Sequence, residues 1–304
     1  MRKLSHLGEF RLIRLLAKRA PLAPGVIQGI GDDTAVLSLG KGPGEKFVLF
    51  TTDMIVEDVH FTRAMPASAI GRKALACNIS DVAAMGGVPK FAVVSLGVPP
   101  FLEIRFVSEL YQGINRLARR FGIGVVGGDT VKSQKIILSV ALIGEVQREH
   151  LVTRAGARAG DVIFVTGPLG RSFETDKHLS FMPRIAESQF LVKHFGPSAM
   201  IDISDGLASD LGHIVESSHG GACLYEERIP KTPGATLKEA LTDGEDFELL
   251  FTLSNEQGQR LLKLKNKKFR FYPIGEIVAQ KEKITLMDSQ GRKRNVTMKG
   301  FEHF

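Results

Sequence analysis

Five short strings in this chain set carboxylates beside glycines or hydroxyls, often where an apolar run stops. They are Gly31-Asp32-Asp33-Thr34, Thr51-Thr52-Asp53, Asn78-Ile79-Ser80-Asp81, Gly127-Gly128-Asp129-Thr130 and Asp202-Ile203-Ser204-Asp205-Gly206. A fold that gathers so many acids must supply cations, because like charges repel and an unpaired buried carboxylate is costly. Magnesium suits that role: it takes hard oxygen ligands, keeps much of its water, and is usually held by one or two carboxylates together with phosphate oxygens. A nucleotide-phosphate enzyme is the leading expectation.

Each string also has an ordinary structural reading. Asp32 and Asp33 can form an Asx turn, and Thr51, Thr52 and Asp53 can cap the segment that follows them. Asn78 and Asp81 share one side of a helix, where Asp81 can pair with Arg72 or Lys73. Gly128-Asp129 offers backbone that a phosphate can approach, yet is equally a turn. Ser204 or Asp205 can cap a helix, an account that does not extend to Asp202. His60, seven residues beyond Asp53, can orient a substrate, exchange a proton, or sit satisfied in a core. Glu245 in Gly244-Glu245-Asp246 can meet a cationic substrate or solvate a strand edge.

The 304 residues, 43% apolar and 24% charged, suffice for one large or two medium domains. Net charge is +7, but much of the excess Lys and Arg lies in 263–270 and 281–294, so charge is no argument for nucleic acid and none is expected as a partner. Cys77 and Cys223 are far apart with no Cys-x-x-Cys pair, which indicates buried thiols in a reducing compartment rather than a disulfide or zinc scaffold. Residues 1–20 read as an amphipathic helix rather than a signal peptide, and no apolar run spans a bilayer. A soluble cytoplasmic protein is expected.

Periodicity predicts strands at 34–39 and 47–50, the latter ending directly in Thr51-Thr52-Asp53, then a helix over 67–85 closed by Gly86-Gly87-Val88-Pro89. A strand follows at 91–98, a helix at 101–121, a short buried strand at 124–126 running into Gly127-Gly128-Asp129, and a strand at 135–146. The polar stretch 147–151 marks a boundary between domains 1–148 and 149–304. Beyond it come strands at 161–166 and 199–202, the second entering a helix at Ser204 or Asp205, and strands at 247–253 and 272–277. The irregular alternation argues for a mixed α+β fold rather than a strict doubly wound one.

In this order the strings resemble those of the thiamine-monophosphate kinases, in the superfamily shared with aminoimidazole ribonucleotide (AIR) synthetase, selenophosphate synthetase and a hydrogenase maturation factor. Val59-His60-Phe61, Thr153-Arg154, Gly244-Glu245-Asp246-Phe247-Glu248-Leu249 and the terminal Lys299-Gly300-Phe301-Glu302-His303-Phe304 extend the resemblance over nearly the whole chain. It implies a two-domain AIR-synthetase-like architecture and ATP-dependent phosphorylation of thiamine monophosphate to thiamine diphosphate by direct in-line transfer. It further implies several Mg²⁺ ions in an interdomain cleft and a homodimer joined through the N-terminal domains. By motif, Asp33, Thr51, Thr52, Asp53, Asp81, Asp129, Asp202 and Asp205 would serve metals, with Asp53, Asp129 and Asp205 central to catalysis. Tyr111, Gly128, Asp129, Arg154 and Ser204 would hold ATP, and His60, Glu245 and Phe301 would line the thiamine phosphate pocket, Phe301 offering an aromatic face to a cationic ring.

The chain departs from the family pattern between Gly170 and Pro183, which is short and polar where a longer helical segment is usual. The sibling enzymes fit less well, since one would want a reactive Cys near the N-terminus and another a C-terminal Cys. The competing reading from a different class is a non-catalytic ATP and Mg²⁺ sensor.

Overall fold

The computed structural model describes residues 8–40, 45–264, 268–280, 283–297 and 300. After helix α1 (Glu9–Ala17), strands β1 (Val26–Gln28), β2 (Ala35–Leu37) and β3 (Lys46–Val56) lead into α2 (Ala67–Ala84). Then follow β4 (Val88–Val98), α3 (Ile104–Phe121), β5 (Gly124–Lys132) and β6 (Ile137–Gln147). These strands form one six-stranded sheet in the order β1-β2-β3-β6-β4-β5, with only the β4–β5 pair parallel.

The later elements are β7 (Val162–Val165), α4 (Lys177–Ser180), α5 (Ile185–His194), β8 (Ala199–Asp202), α6 (Leu207–Ser218), β9 (Gly221–Tyr225), α7 (Leu237–Thr242), β10 (Leu249–Leu253), α8 (Asn255–Leu262), β11 (Tyr272–Val278), β12 (Ile284–Met287) and β13 (Lys293–Val296). They build a seven-stranded sheet, β13-β12-β9-β11-β7-β10-β8, in which β9 and β12 run parallel. The fold is thus mixed α/β with two mixed sheets, as the irregular alternation suggested.

Helix α2 is the hinge of the architecture. It is buried almost all round, which its sequence of small and aliphatic residues permits. Gly71 and Gly113 let α2 and α3 close on each other: a Cβ on Gly71 would lie 2.0 Å from the Leu110 carbonyl oxygen, and one on Gly113 1.8 Å from that of Ser68. At its C-terminal end α2 delivers Ala83 and Ala84 into a core with Phe164, Leu191, Met200 and Phe251 of the second half. An apolar contact therefore locks the two sheets together.

Three local expectations are corrected. Strand β3 does not stop at Thr51 but pairs with β6 through Val56, so Thr51, Thr52 and Asp53 lie inside a strand. Alternation then divides them: Thr51 is buried and Asp53 half-buried on the α2 side, while Thr52 is exposed on the other face, beside Phe50 and Met54. The 124–126 strand is longer and is not buried, because β5 is the sheet's edge. Helix α6 begins at Leu207, not at Ser204 or Asp205. Asp210 in its first turn reaches back to accept from the Asp205 and Gly206 N–H groups (3.2 and 3.1 Å). Ser204 and Asp205 are thereby released from capping.

Candidate active site

Four carboxylates from four elements meet where the two sheets join. Asp33 comes from the turn before β2, Asp53 from β3, Asp81 from α2 and Asp202 from the end of β8. Carboxylate oxygens of Asp33, Asp81 and Asp202 all lie within 4.8 Å of one another. Burial, followed by repulsion from Asp33, pushes Asp53 up to about 6 and Asp202 up to about 8. Asp81 is raised well above the ordinary range by burial and then by Asp53, Asp202 and Asp33.

Hydroxyls and one guanidinium offset only part of this charge. Thr51 Oγ1 donates to Asp81 (2.5 Å) and Ser80 Oγ to Asp202 (2.5 Å). Arg154 Nη2 donates to Asp33 Oδ1 (2.7 Å), and the Arg154 N–H donates to Asp32 Oδ2 (3.1 Å). Burial works against the Arg154 charge, but Asp33 and Asp32 raise its pKa above the usual value. Asp32 itself is pushed up to about 7 by burial and by Asp33. Asp33 Oδ2 and Asp53 Oδ2 stay buried with no hydrogen-bond partner. Buried, orphaned, clustered carboxylate oxygens form the donor set of a hard divalent cation.

A cleft of about 250 Å³ opens beside the cluster and is lined by Asp53, Asp81, His60, Ser204, Asp205, Glu245 and Phe173 among others. His60 Nδ1 accepts from the Val56 N–H (3.0 Å), which fixes the ring. Glu245 is not strand-edge solvation: both its oxygens accept from Lys73 Nζ (2.7 and 2.6 Å), whose side chain is 0% exposed on α2. Lys73 also donates to the His60 carbonyl (2.8 Å), tying the cleft's two walls to one ammonium. Arg72 instead serves the backbone carbonyls of Leu179 and Phe181. The two cations that could have explained Asp81 as a structural pair are thus engaged elsewhere.

The loop carrying Glu245 is strained, with Glu245 and Phe247 at φ of 62° and 50°. It is held by the Glu245 N–H donating to the Ser204 carbonyl (2.6 Å) and by Phe247 stacking on Phe181 at 4.0 Å. The short 171–183 segment still supplies a wall, since Phe173 lines the cleft and stacks on buried His178 at 4.4 Å. Lys177 and Arg184 brace it against Glu248 at 3.2 and 2.7 Å.

Other residues singled out in the sequence stand apart. Asp129 is exposed on β5 and accepts from the Thr130 N–H (2.8 Å). It shares a cross-strand row with Met54, Ser139 and Ser95, about 14 Å from β3 at ordinary strand spacing. At Gly128 a Cβ would lie 1.8 Å from the Val94 carbonyl oxygen, so packing by itself already requires glycine there. Tyr111 packs half-buried on α3 against the first core and does not line the cleft. Phe301 lies outside the described residues; its neighbour Gly300 abuts Asp205, where a Cβ would meet the Asp205 carbonyl oxygen at 2.3 Å.

The structure also adds Asp210 and His213, which sequence reading passed over, to the already named Asp205. Asp205, Asp210 and His213 place ligand atoms within 4.8 Å of one another. Asp210 is raised by burial and by Asp205, whereas His213 is lowered to about 4 by burial, Arg154 and Arg14. Their spacing, Asp210 and His213 three apart on one helix face, was a usable signal. Lys73, read in the sequence as a possible partner of Asp81, pairs with Glu245 instead.

A family model described as AIR synthase related protein, N-terminal domain, matches residues 31–146. The thiamine-monophosphate kinase of Bacillus subtilis is 34% identical, over 98% of this chain and 100% of its own length. That of Aquifex aeolicus is 37% identical, over 84% of this chain and 89% of its own. The solved structure of AaThiL complexed with AMPPCP and TMP superposes with a TM-score of 0.85 at 34% identity, covering 100% of this chain and 99% of that one.

Proposed function

Because the chain belongs to the thiamine-monophosphate kinases of the AIR synthase-related family, we propose that its interdomain cleft is the catalytic centre, with Asp33, Asp53, Asp81 and Asp202 as the metal-holding acids. The protein is a phosphotransferase that phosphorylates thiamine monophosphate to thiamine diphosphate using ATP. The observation that carries the site assignment is the pair of orphaned buried oxygens on Asp33 and Asp53 inside a cluster drawn from both halves of the chain.

Mg²⁺ fits this donor set, with Asp205 as a further ligand beside Asp210 and His213. When bound it neutralises the phosphates of donor and acceptor, two anions that would otherwise stay apart. The chain's own groups do the rest. Thr51 and Ser80 orient the Asp81 and Asp202 carboxylates. Arg154, which donates to Asp33 and Asp32, would offer its guanidinium to an ATP phosphate. Ser204 would contact ATP, while His60 and Glu245, both anchored on Lys73, line the acceptor pocket, with Phe301 assigned there by motif. The acceptor is an ionised phosphate and needs no strong base, so rate comes from positioning and charge neutralisation.

The domains divide near residue 148, and we propose a homodimer through the outer face of the first sheet. Phe50, Ile143 and Phe91 form one cross-strand row there, with Met54, Val93 and Val126 also exposed. Thr52, Gly128 and Asp129 are exposed on this sheet rather than in their own acidic cluster, so they would reach phosphate chemistry across the interface, in the partner's cleft. Tyr111 would contribute from α3. The two buried free thiols suit a cytoplasmic protein, and among the described residues no helix is long and apolar enough to cross a membrane. Incubation with ATP, Mg²⁺ and thiamine monophosphate should yield thiamine diphosphate and ADP, and Asp53→Ala should abolish both. Turnover by the folded Asp53→Ala variant would overturn the site assignment.

A further inference from the structure

On the far side of α2 from the acidic cleft lies a groove of about 680 Å³ between α2, α3 and the 176–182 segment. Three guanidinium groups line it, those of Arg72, Arg116 and Arg120, against one carboxylate, Asp176. Arg116 and Arg120 are exposed, one turn apart on α3, and among the described residues neither has a carboxylate partner. Arg72 is half-buried, its pKa lowered by burial and then by Arg120. The groove is not wholly polar: Met65, Leu117, Leu179 and Met182 give it an apolar floor. Nothing in the phosphoryl-transfer site uses these residues.

We propose that this groove binds a small phosphate ester, its phosphate on Arg72, Arg116 and Arg120 and its body on the apolar floor. Converging guanidinium groups with no acid partner favour phosphate, which accepts forked, charge-assisted hydrogen bonds and relieves the repulsion among them. The volume falls within that of ordinary small-molecule sites. The groove is also wired to the cleft. Arg72 holds the Leu179 and Phe181 carbonyls, Phe181 stacks on Phe247, and Phe247 lines the cleft beside Glu245. Its chain neighbour Lys73 grips Glu245. A phosphate that takes Arg72 from those carbonyls loosens the wall formed by Phe181 and Phe247, so occupancy of the groove changes acceptor binding in the cleft.

Calorimetric titration of the full-length protein in chelator tests this directly, because without metal the acidic cluster lacks the cation that would hold a phosphate there. ADP and inorganic pyrophosphate are the probes, one carrying a body for the apolar floor and one not. Both should bind the wild type, ADP more tightly, and the double variant Arg116→Ala/Arg120→Ala should weaken both by about tenfold or more. The variant removes only exposed side chains and should keep its melting temperature and its turnover of thiamine monophosphate. Pyrophosphate should shift the KM for thiamine monophosphate more in the wild type than in the variant, where only competition in the cleft remains. Equal affinity in the two proteins, or no binding to the wild type in chelator, overturns the site. Either result leaves the kinase reading untouched, since that reading is scored by product formation.

Discussion

Mg²⁺ affinity should fall steeply as pH is lowered, because the acids assigned to the metal hold their protons in the free protein. Asp202 is pushed up from 3.8 to about 8 and Asp53 to about 6. A carboxylate must lose its proton to ligate, so each one still protonated raises the apparent Mg²⁺ Kd about tenfold per pH unit below its pKa. Between pH 8 and 6 Asp202 alone costs about a hundredfold, and below pH 6 Asp53 steepens the slope toward two protons per ion. The same shifts set the stability of the metal-free protein. Above 3.8 the unfolded chain has released the Asp202 proton while the folded state keeps it up to about pH 8, so unfolding releases protons and stability falls as pH rises. The slope is about 1.4 kcal/mol per pH unit for each such carboxylate. Mg²⁺ should restore that loss, and more fully at higher pH. The assay is calorimetric Mg²⁺ titration with parallel thermal melts from about pH 5.5 to about pH 8.5, run in two buffers of different ionisation enthalpy so that released protons are counted. Mg²⁺ affinity that stays flat with pH, or an Asp202→Asn variant with an unchanged slope, would refute the argument.

Removing one partner of the buried Lys73–Glu245 pair should destabilise the protein by about 3–5 kcal/mol, since the other charge is stranded. Lys73→Met combined with Glu245→Gln should recover much of that loss in denaturant melts, while the KM for thiamine monophosphate stays high. If Asp129 acts across a dimer interface, mixing inactive Asp53→Ala and Asp129→Ala proteins should restore about one quarter of wild-type activity, because half the dimers then carry one intact site. No recovery after verified subunit exchange would place Asp129 in its own protomer's cleft or outside the chemistry. If the protein dimerises through this face, Phe91→Glu should leave a monomer in sedimentation, and an unchanged dimer mass would rule out the apolar row as the interface. Phe181→Ala should cost about 3–5 kcal/mol in stability and weaken acceptor binding more than ATP binding, because it frees Phe247 beside Glu245.

The chemistry of this protein was legible in its sequence because metal and phosphate sites demand residue types, and those types sit in short contiguous strings. Asp33, Asp53, Asp81 and Asp202 could be named from such strings, as could the helix that became α2 and the mixed character of the sheets. What the strings could not carry was direction. One residue of strand parity separates Thr51, bonded to Asp81, from Thr52 on the opposite face, and parity became readable only once β3 was known to continue to Val56. Asp129 looks like Asp53 on paper, yet the strand order places β5 at the sheet edge and leaves that carboxylate exposed. Lys73 and Glu245 are 172 positions apart and pair only because the apolar contact of Ala83 and Ala84 with Phe164 and Phe251 brings the halves together. Local strings determine which atoms are available for chemistry, but distances between charges depend on sheet order and interdomain packing, which are long-range and set by burial rather than by any one motif.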